Sequence, residues 1–117
     1  MKKQYVVFGA GKFGASIAVT LQEHGCDVIL VDKNPELIQD LADQVSYAIC
    51  ANVEDEETFE ELGLKNVDGA IVAITESLEA SIVTTMMCHE LGIPRILVKA
   101  KNSMHEKILR SVGAHKV

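Results

Sequence analysis

One stretch limits the fold of this chain more than any other: "VVFGAGKFGASIAVTL", residues 6–21. A short β-branched run meets a glycine-rich turn, and the turn opens into residues with helical spacing. Gly9, Gly11 and Gly14 stand in the pattern G-x-G-x-x-G. Between a strand and a helix each glycine has its own task. Gly9 permits the tight turn, Gly11 lets the backbone approach a phosphate, and Gly14 lets the helix pack closely on the strand. The helix N-terminus then presents free N–H groups and a partial positive charge to an anion.

Asp32 supports the same reading. It ends the second apolar run, 18 residues after Gly14. A carboxylate there accepts hydrogen bonds from both hydroxyls of an adenosine ribose. A 2′-phosphate would instead meet like charge, a repulsion of about 4 kcal/mol at ~4 Å and an effective dielectric of ~20, before salt screening. Adenosine nucleotides or NAD(H) are therefore expected over NADP, with Lys33 offsetting part of the repulsion.

The rest of the chain repeats the strand–helix alternation. Nearly continuous apolar runs at 5–8, 28–31, 48–50, 70–74 and 96–98 read as parallel strands buried on both faces. Phe13, Ile17 and Leu21 recur every four residues as the apolar stripe of a first helix, with Gly25 as its stop. Asn34 and Pro35 begin a second helix as cap and first residue. Helices over about 55–62, 78–91 and 103–112 end at Gly63, Gly92 and Gly113. Five such units in 117 residues make one α/β lobe, a Rossmann-like doubly wound parallel sheet. Residues 114–117 would start a sixth strand.

Ligands of such sheets lie at the carboxyl ends of the strands. The loops there supply Asn52 and Val53, then Ile74, Thr75 and Glu76, then Lys99 and Lys101. Asn52 is suited to an adenine edge. Lys12 lies inside the glycine loop at a helix start, where the dipole disfavours a cation. Its position favours contact with a terminal phosphate.

Signs of catalysis are few. Of the four histidines only His105 falls near the crevice, and no nucleophile–base grouping is evident. Cys26, Cys50 and Cys88 are far apart, which argues against a disulfide framework or structural zinc. The net charge is −6, concentrated around residues 54–61, and there is no basic stripe for nucleic acid. The helix over 78–91 is apolar around much of its circumference and is a candidate for a subunit interface.

Taken together, "VVFGAGKFGASIAVTL", "VILVDKNPE", "AICANVEDEETFEELGL", "DGAIVAIT", "ASIVTTMMCHELGIPRILVKAKN" and "HEKILRSVGA" resemble the N-terminal lobe of the RCK domain, also called TrkA-N. Within that family the chain looks most like the KtrA type of cytosolic regulatory subunit of Ktr potassium uptake systems. Ala51-Asn52-Val53 replaces the Gly-Asp-Ala of many relatives, and Lys12 stands where Ktr subunits are expected to carry arginine. Lysine keeps the charge but lacks the bidentate fork.

The resemblance implies a nucleotide sensor without turnover. ATP, ADP or NAD(H) would occupy the cleft, with Mg²⁺ a candidate companion. Gly9, Gly11, Lys12, Phe13 and Gly14 would hold phosphates and Asp32 the ribose. Lys33, Asn34, Asn52, Val53, Ile74, Thr75, Glu76, Lys99, Lys101 and His105 would line the remainder. It further implies dimers within an octameric ring, docked from the cytoplasm on an integral membrane potassium-translocating subunit of the plasma membrane. The family's crossover helix and C-terminal lobe have no counterpart in residues 1–117, so an isolated nucleotide-binding lobe is expected. The alternatives are the cofactor domain of an NAD-dependent oxidoreductase and a redox-sensing transcription factor, which would need a DNA-binding element.

Overall fold

The computed structural model describes residues 2–117. Its order is β1 (Gln4–Phe8), α1 (Lys12–Glu23), β2 (Asp27–Asp32), α2 (Pro35–Leu41), β3 (Tyr47–Cys50), α3 (Glu56–Glu61), β4 (Gly69–Val72), α4 (Leu78–Leu91), β5 (Ile96–Val98) and α5 (Ser103–Ser111). All strand pairs are parallel, in the order β3-β2-β1-β4-β5. The chain reverses its direction of travel across the sheet between β1 and β4, and the carboxyl ends of the strands diverge there into a crevice.

The continuous apolar runs reflect burial on both faces. Val7, Leu30 and Ile71 pack on one side with Ala18 of α1 and Ile38 of α2. Val6, Phe8, Ile29, Val31 and Val72 pack on the other with Phe59, Met87 and Leu109 from α3, α4 and α5. Phe8 and Phe59 stack with ring centroids 5.9 Å apart. Gly92 ends α4 in the left-handed conformation at φ +83°, and its N–H donates to the His89 carbonyl at 3.0 Å.

Two expectations are corrected. β4 ends at Val72 rather than residue 74. Its last contacts with both neighbours are Ala73 N–H to Phe8 O and Lys99 N–H to Val72 O. Beyond them β1 turns away at Gly9 and β5 ends at Val98, so Ile74 has no strand beside it and borders the crevice. Phe13 also leaves the apolar stripe of α1. Ile17 and Leu21 pack against the core, whereas Phe13 belongs to neither core cluster and is 38% exposed. The chain after α5 runs beside β5 as one bridge, Leu97 to Lys116.

Candidate functional site

The first turn of α1 lies at the centre of the crevice. Gly9 has φ +105°, and a Cβ there would stand 2.6 Å from the Ala73 carbonyl oxygen. A Cβ on Gly14 would collide with the Gly9 carbonyl. Both glycines are thus required by the fold. Gly11 is different. Its backbone is extended at φ −70°, ψ −170°, and nothing lies within 4 Å of a Cβ built on it. Each of the other seven glycines has a positive φ or a close neighbour. Among the described residues nothing requires Gly11 to be glycine.

Among the described residues α1 is also the one α-helix that starts without a side-chain cap. Asn34, Asp55, Ser77 and Asn102 each accept a backbone N–H at the starts of α2, α3, α4 and α5. Gly11 offers none, and no acidic residue stands in the first turn. The orphan N–H groups there have no acceptor among the described residues.

Asp32 fixes the neighbouring wall. Its Oδ2 accepts the Ala10 N–H at 2.7 Å and its Oδ1 the Asn34 N–H at 2.8 Å. Each oxygen keeps a lone pair for a further donor, so the carboxylate can serve the turn and a ribose together.

Three adjoining cavities open along the strand ends. Gly9, Gly11, Asp32, Lys33, Asn34, Thr75 and Glu76 line the central one, of about 290 Å³. Asp32, Asn52, Val53 and Ile74 line a narrow one toward β3, of about 40 Å³. Ile74, Thr75, Lys99, Lys101 and His105 line a third toward β5, of about 310 Å³. Lys12 and Phe13 stand exposed on the first turn and border none of the three. Asn52 Oδ1 accepts the Glu54 N–H at 3.2 Å, leaving its amide N–H donors for a base edge.

His105 lines the third cavity but is only 4% exposed. Nδ1 accepts the Lys101 N–H at 2.9 Å, and Nε2 lies 2.7 Å from Ser81 Oγ. Nδ1 as acceptor places the proton on Nε2, which donates to Ser81 Oγ; that hydroxyl donates to the Leu78 carbonyl. Burial, then the Lys101 charge, push the imidazole below its ordinary range. The ring therefore braces the Lys101 turn against α4, with both nitrogens engaged.

Ser77, next after Glu76 in the same loop, caps α4 and borders both outer cavities. Its signal was the cap position itself, before the apolar run that starts at Leu78. Among the described residues no cluster of three His, Cys, Asp or Glu side chains is arranged for a metal, and no helix is long and apolar enough to cross a membrane.

The TrkA-N domain family model matches residues 5–117. Ktr system potassium uptake protein C of Bacillus subtilis is 43% identical over 114 residues, 97% of this chain and 52% of the relative. Protein A of the Ktr system in the same organism is 40% identical over 115 residues, 98% of this chain and 52% of the relative. The chain thus spans about half the length of the curated relatives it matches. Among solved structures, the GsuK channel bound to NAD superposes with a TM-score of 0.83 at 17% identity, over 100% of this chain and 21% of that one. GsuK bound to ADP gives 0.81 at 17%, over 100% and 31%. With the family model covering nearly every residue, and Ktr proteins matching at 40% identity and above, this chain belongs to the TrkA-N domain family.

Proposed function

We propose that this lobe is a nucleotide-sensing regulatory domain of a potassium uptake system. The ligand is ATP, ADP or NAD(H). Its phosphates lie on the α1 N-terminus, its ribose on Asp32, and its base between Asn52, Val53 and Ile74. Binding changes the shape of an assembly of such lobes, and that assembly gates a membrane subunit that conducts potassium. The exposed Leu78, Met86 and Leu91 of α4, beside Met104 and Ile108 of α5, suit this helix pair to contact a second copy. No turnover is assigned to the site.

The observation that carries the reading is Gly11. A glycine that the fold does not need, at an uncapped helix start, has a physical reason only if something must come close to its backbone. Supporting it are the acceptor geometry of Asp32, the Ktr relatives, and the NAD- and ADP-bound states of GsuK.

A ligand moves a gate only by its differential affinity for the two states. A ratio of roughly 100 supplies about 2.7 kcal/mol per site. ATP and ADP differ by one phosphate, so that difference is read at the phosphate end of the cleft, beginning at the α1 N-terminus with Lys12 in its first turn.

Calorimetric titration with ATP, ADP, NAD⁺, NADH and NADPH, with and without Mg²⁺, tests the proposal. Binding of the adenosine ligands with NADPH excluded is expected. In Gly11→Ala the affinity should fall at least tenfold while the urea midpoint stays unchanged. Failure of the wild-type chain to bind any of them, or equal binding by Gly11→Ala, would overturn the reading.

A further inference from the structure

We infer that Phe13 is a positioning residue for Lys99, and that this pair sets the preference of the cleft for a nucleotide with an additional terminal phosphate. The inference rests on the nucleotide-binding reading above and adds the group that distinguishes ligands of different phosphate length.

Lys99 Nζ lies 4.7 Å from the centroid of the Phe13 ring. The two residues come from opposite sides of the crevice, Phe13 from the first turn of α1 and Lys99 from the end of β5. Phe13 does little for the core. It is exposed and belongs to neither apolar cluster, although its spacing matches the stripe that Ile17 and Leu21 continue. Lys99 has no carboxylate partner among the described residues, where the ion pairs are Lys2–Asp27 and Arg110–Glu106. An aromatic face attracts an ammonium without neutralising it, so the charge is held in place yet remains available to an anion. A carboxylate in the same place would have cancelled it.

The strand order gives the direction. Asp32 ends β2, the glycine loop follows β1, Thr75 follows β4 and Lys99 follows β5, and these strands are neighbours in that order. A nucleotide with its ribose on Asp32 and its first phosphates at Gly11 therefore points its terminal end toward β4 and β5. Lys99 and Lys101 are the cations on that side, bordering the cavity there with Thr75, and of the two Lys99 is the one held over the Phe13 ring. The Phe13 ring draws its ammonium back from β5 toward the α1 N-terminus. A lysine stem is flexible, and holding it before the ligand arrives lowers the ordering cost of binding.

The test is titration of the wild-type chain, Phe13→Leu, Phe13→Tyr, Lys99→Met and the double variant Phe13→Leu/Lys99→Met with ATP and with ADP, each checked for an unchanged urea midpoint. Phe13→Leu is expected to lower the ATP-to-ADP affinity ratio by roughly three- to fivefold, the worth of an exposed cation–π contact. Phe13→Tyr should keep the ratio. Lys99→Met should lower it at least as far, and the double variant should match Lys99→Met. An unchanged ratio in Phe13→Leu, or fully additive effects in the double variant, would overturn the pairing while leaving the nucleotide site intact. A wild-type chain that binds neither ligand would instead overturn the nucleotide reading on which the pairing rests.

Discussion

Asp32 Oδ2 accepts the backbone N–H of Ala10 at 2.7 Å, tying the end of β2 to the middle of the glycine turn. The residue proposed to hold the ribose therefore also holds the glycine turn in shape. Asp32→Ala leaves the Ala10 and Asn34 amides without their acceptor. It should cost about 1–3 kcal/mol in urea unfolding and also abolish adenosine nucleotide binding. Asp32→Asn retains an acceptor oxygen and should unfold closer to wild type while still binding weakly.

Gly14→Ala and Gly11→Ala should behave in opposite ways. A methyl group at Gly14 meets the Gly9 carbonyl and stands 3.2 Å from the Ala73 side chain, whereas one at Gly11 meets nothing. Gly14→Ala is expected to destabilise by about 1–3 kcal/mol through overpacking, with unfolding midpoints as the measure. Comparable destabilisation in Gly11→Ala would remove the argument that this glycine serves a ligand.

The His105 ring gives the fold a dependence on pH. Its pKa is lowered in the folded chain by burial and by Lys101, against an ordinary value of 6.5. As pH falls through about 6.5, the unfolded chain takes up a proton that the folded chain declines. Stability from this group is complete at neutral pH and declines as pH drops toward the lowered value. His105→Gln should be less stable than wild type at pH 7.5, and urea titrations should show the gap narrowing by pH 5.5. A constant gap would mean that the imidazole is not the titrating group.

The three thiols should separate by exposure. Cys88 is fully buried, and desolvation pushes its pKa up to about 12. Cys50 is exposed, its thiol 3.5 Å from the Lys33 carbonyl beside the crevice. A thiol reagent at pH 8 should modify Cys50 in the native chain and Cys88 only after denaturation, as mass mapping would show.

Thr84 is completely buried, and its hydroxyl has no hydrogen-bond partner among the described residues. Thr84→Val keeps the shape and removes the stranded polar atom. It should raise stability by about 1 kcal/mol in urea unfolding, whereas a loss of similar size would reveal a hidden partner for the hydroxyl.

Much of the fold was legible because its signals are local. A strand buried on both faces must be apolar throughout, so the five runs stood out, and glycine after a helix marks the left-handed turn that ends it. Asn34, Pro35, Ser77 and Gly92 act within a few residues of themselves. The glycine loop and Asp32 were legible for the same reason: one strand–turn–helix unit and the strand after it contain them all.

Tertiary structure decided what depends on residues far apart in the chain. Helical spacing assigned Phe13 to the apolar stripe, but a stripe has a core to face only where the sheet lies beneath it. At the first turn of α1 the neighbour is instead Lys99, 86 positions later in the sequence. β4 stopped at Val72 because β1 turns away at Gly9 and β5 ends at Val98, which its own apolar run could not reveal. His105 became a brace because Ser81 and the Lys101 amide occupy its two nitrogens. The sequence by itself determined the lobe, the glycine turn between β1 and α1 and the carboxylate at the end of β2. Only the packed sheet decided which glycine has open space around it and which cation meets the Phe13 ring, because both depend on the space left between elements that meet only in the folded chain.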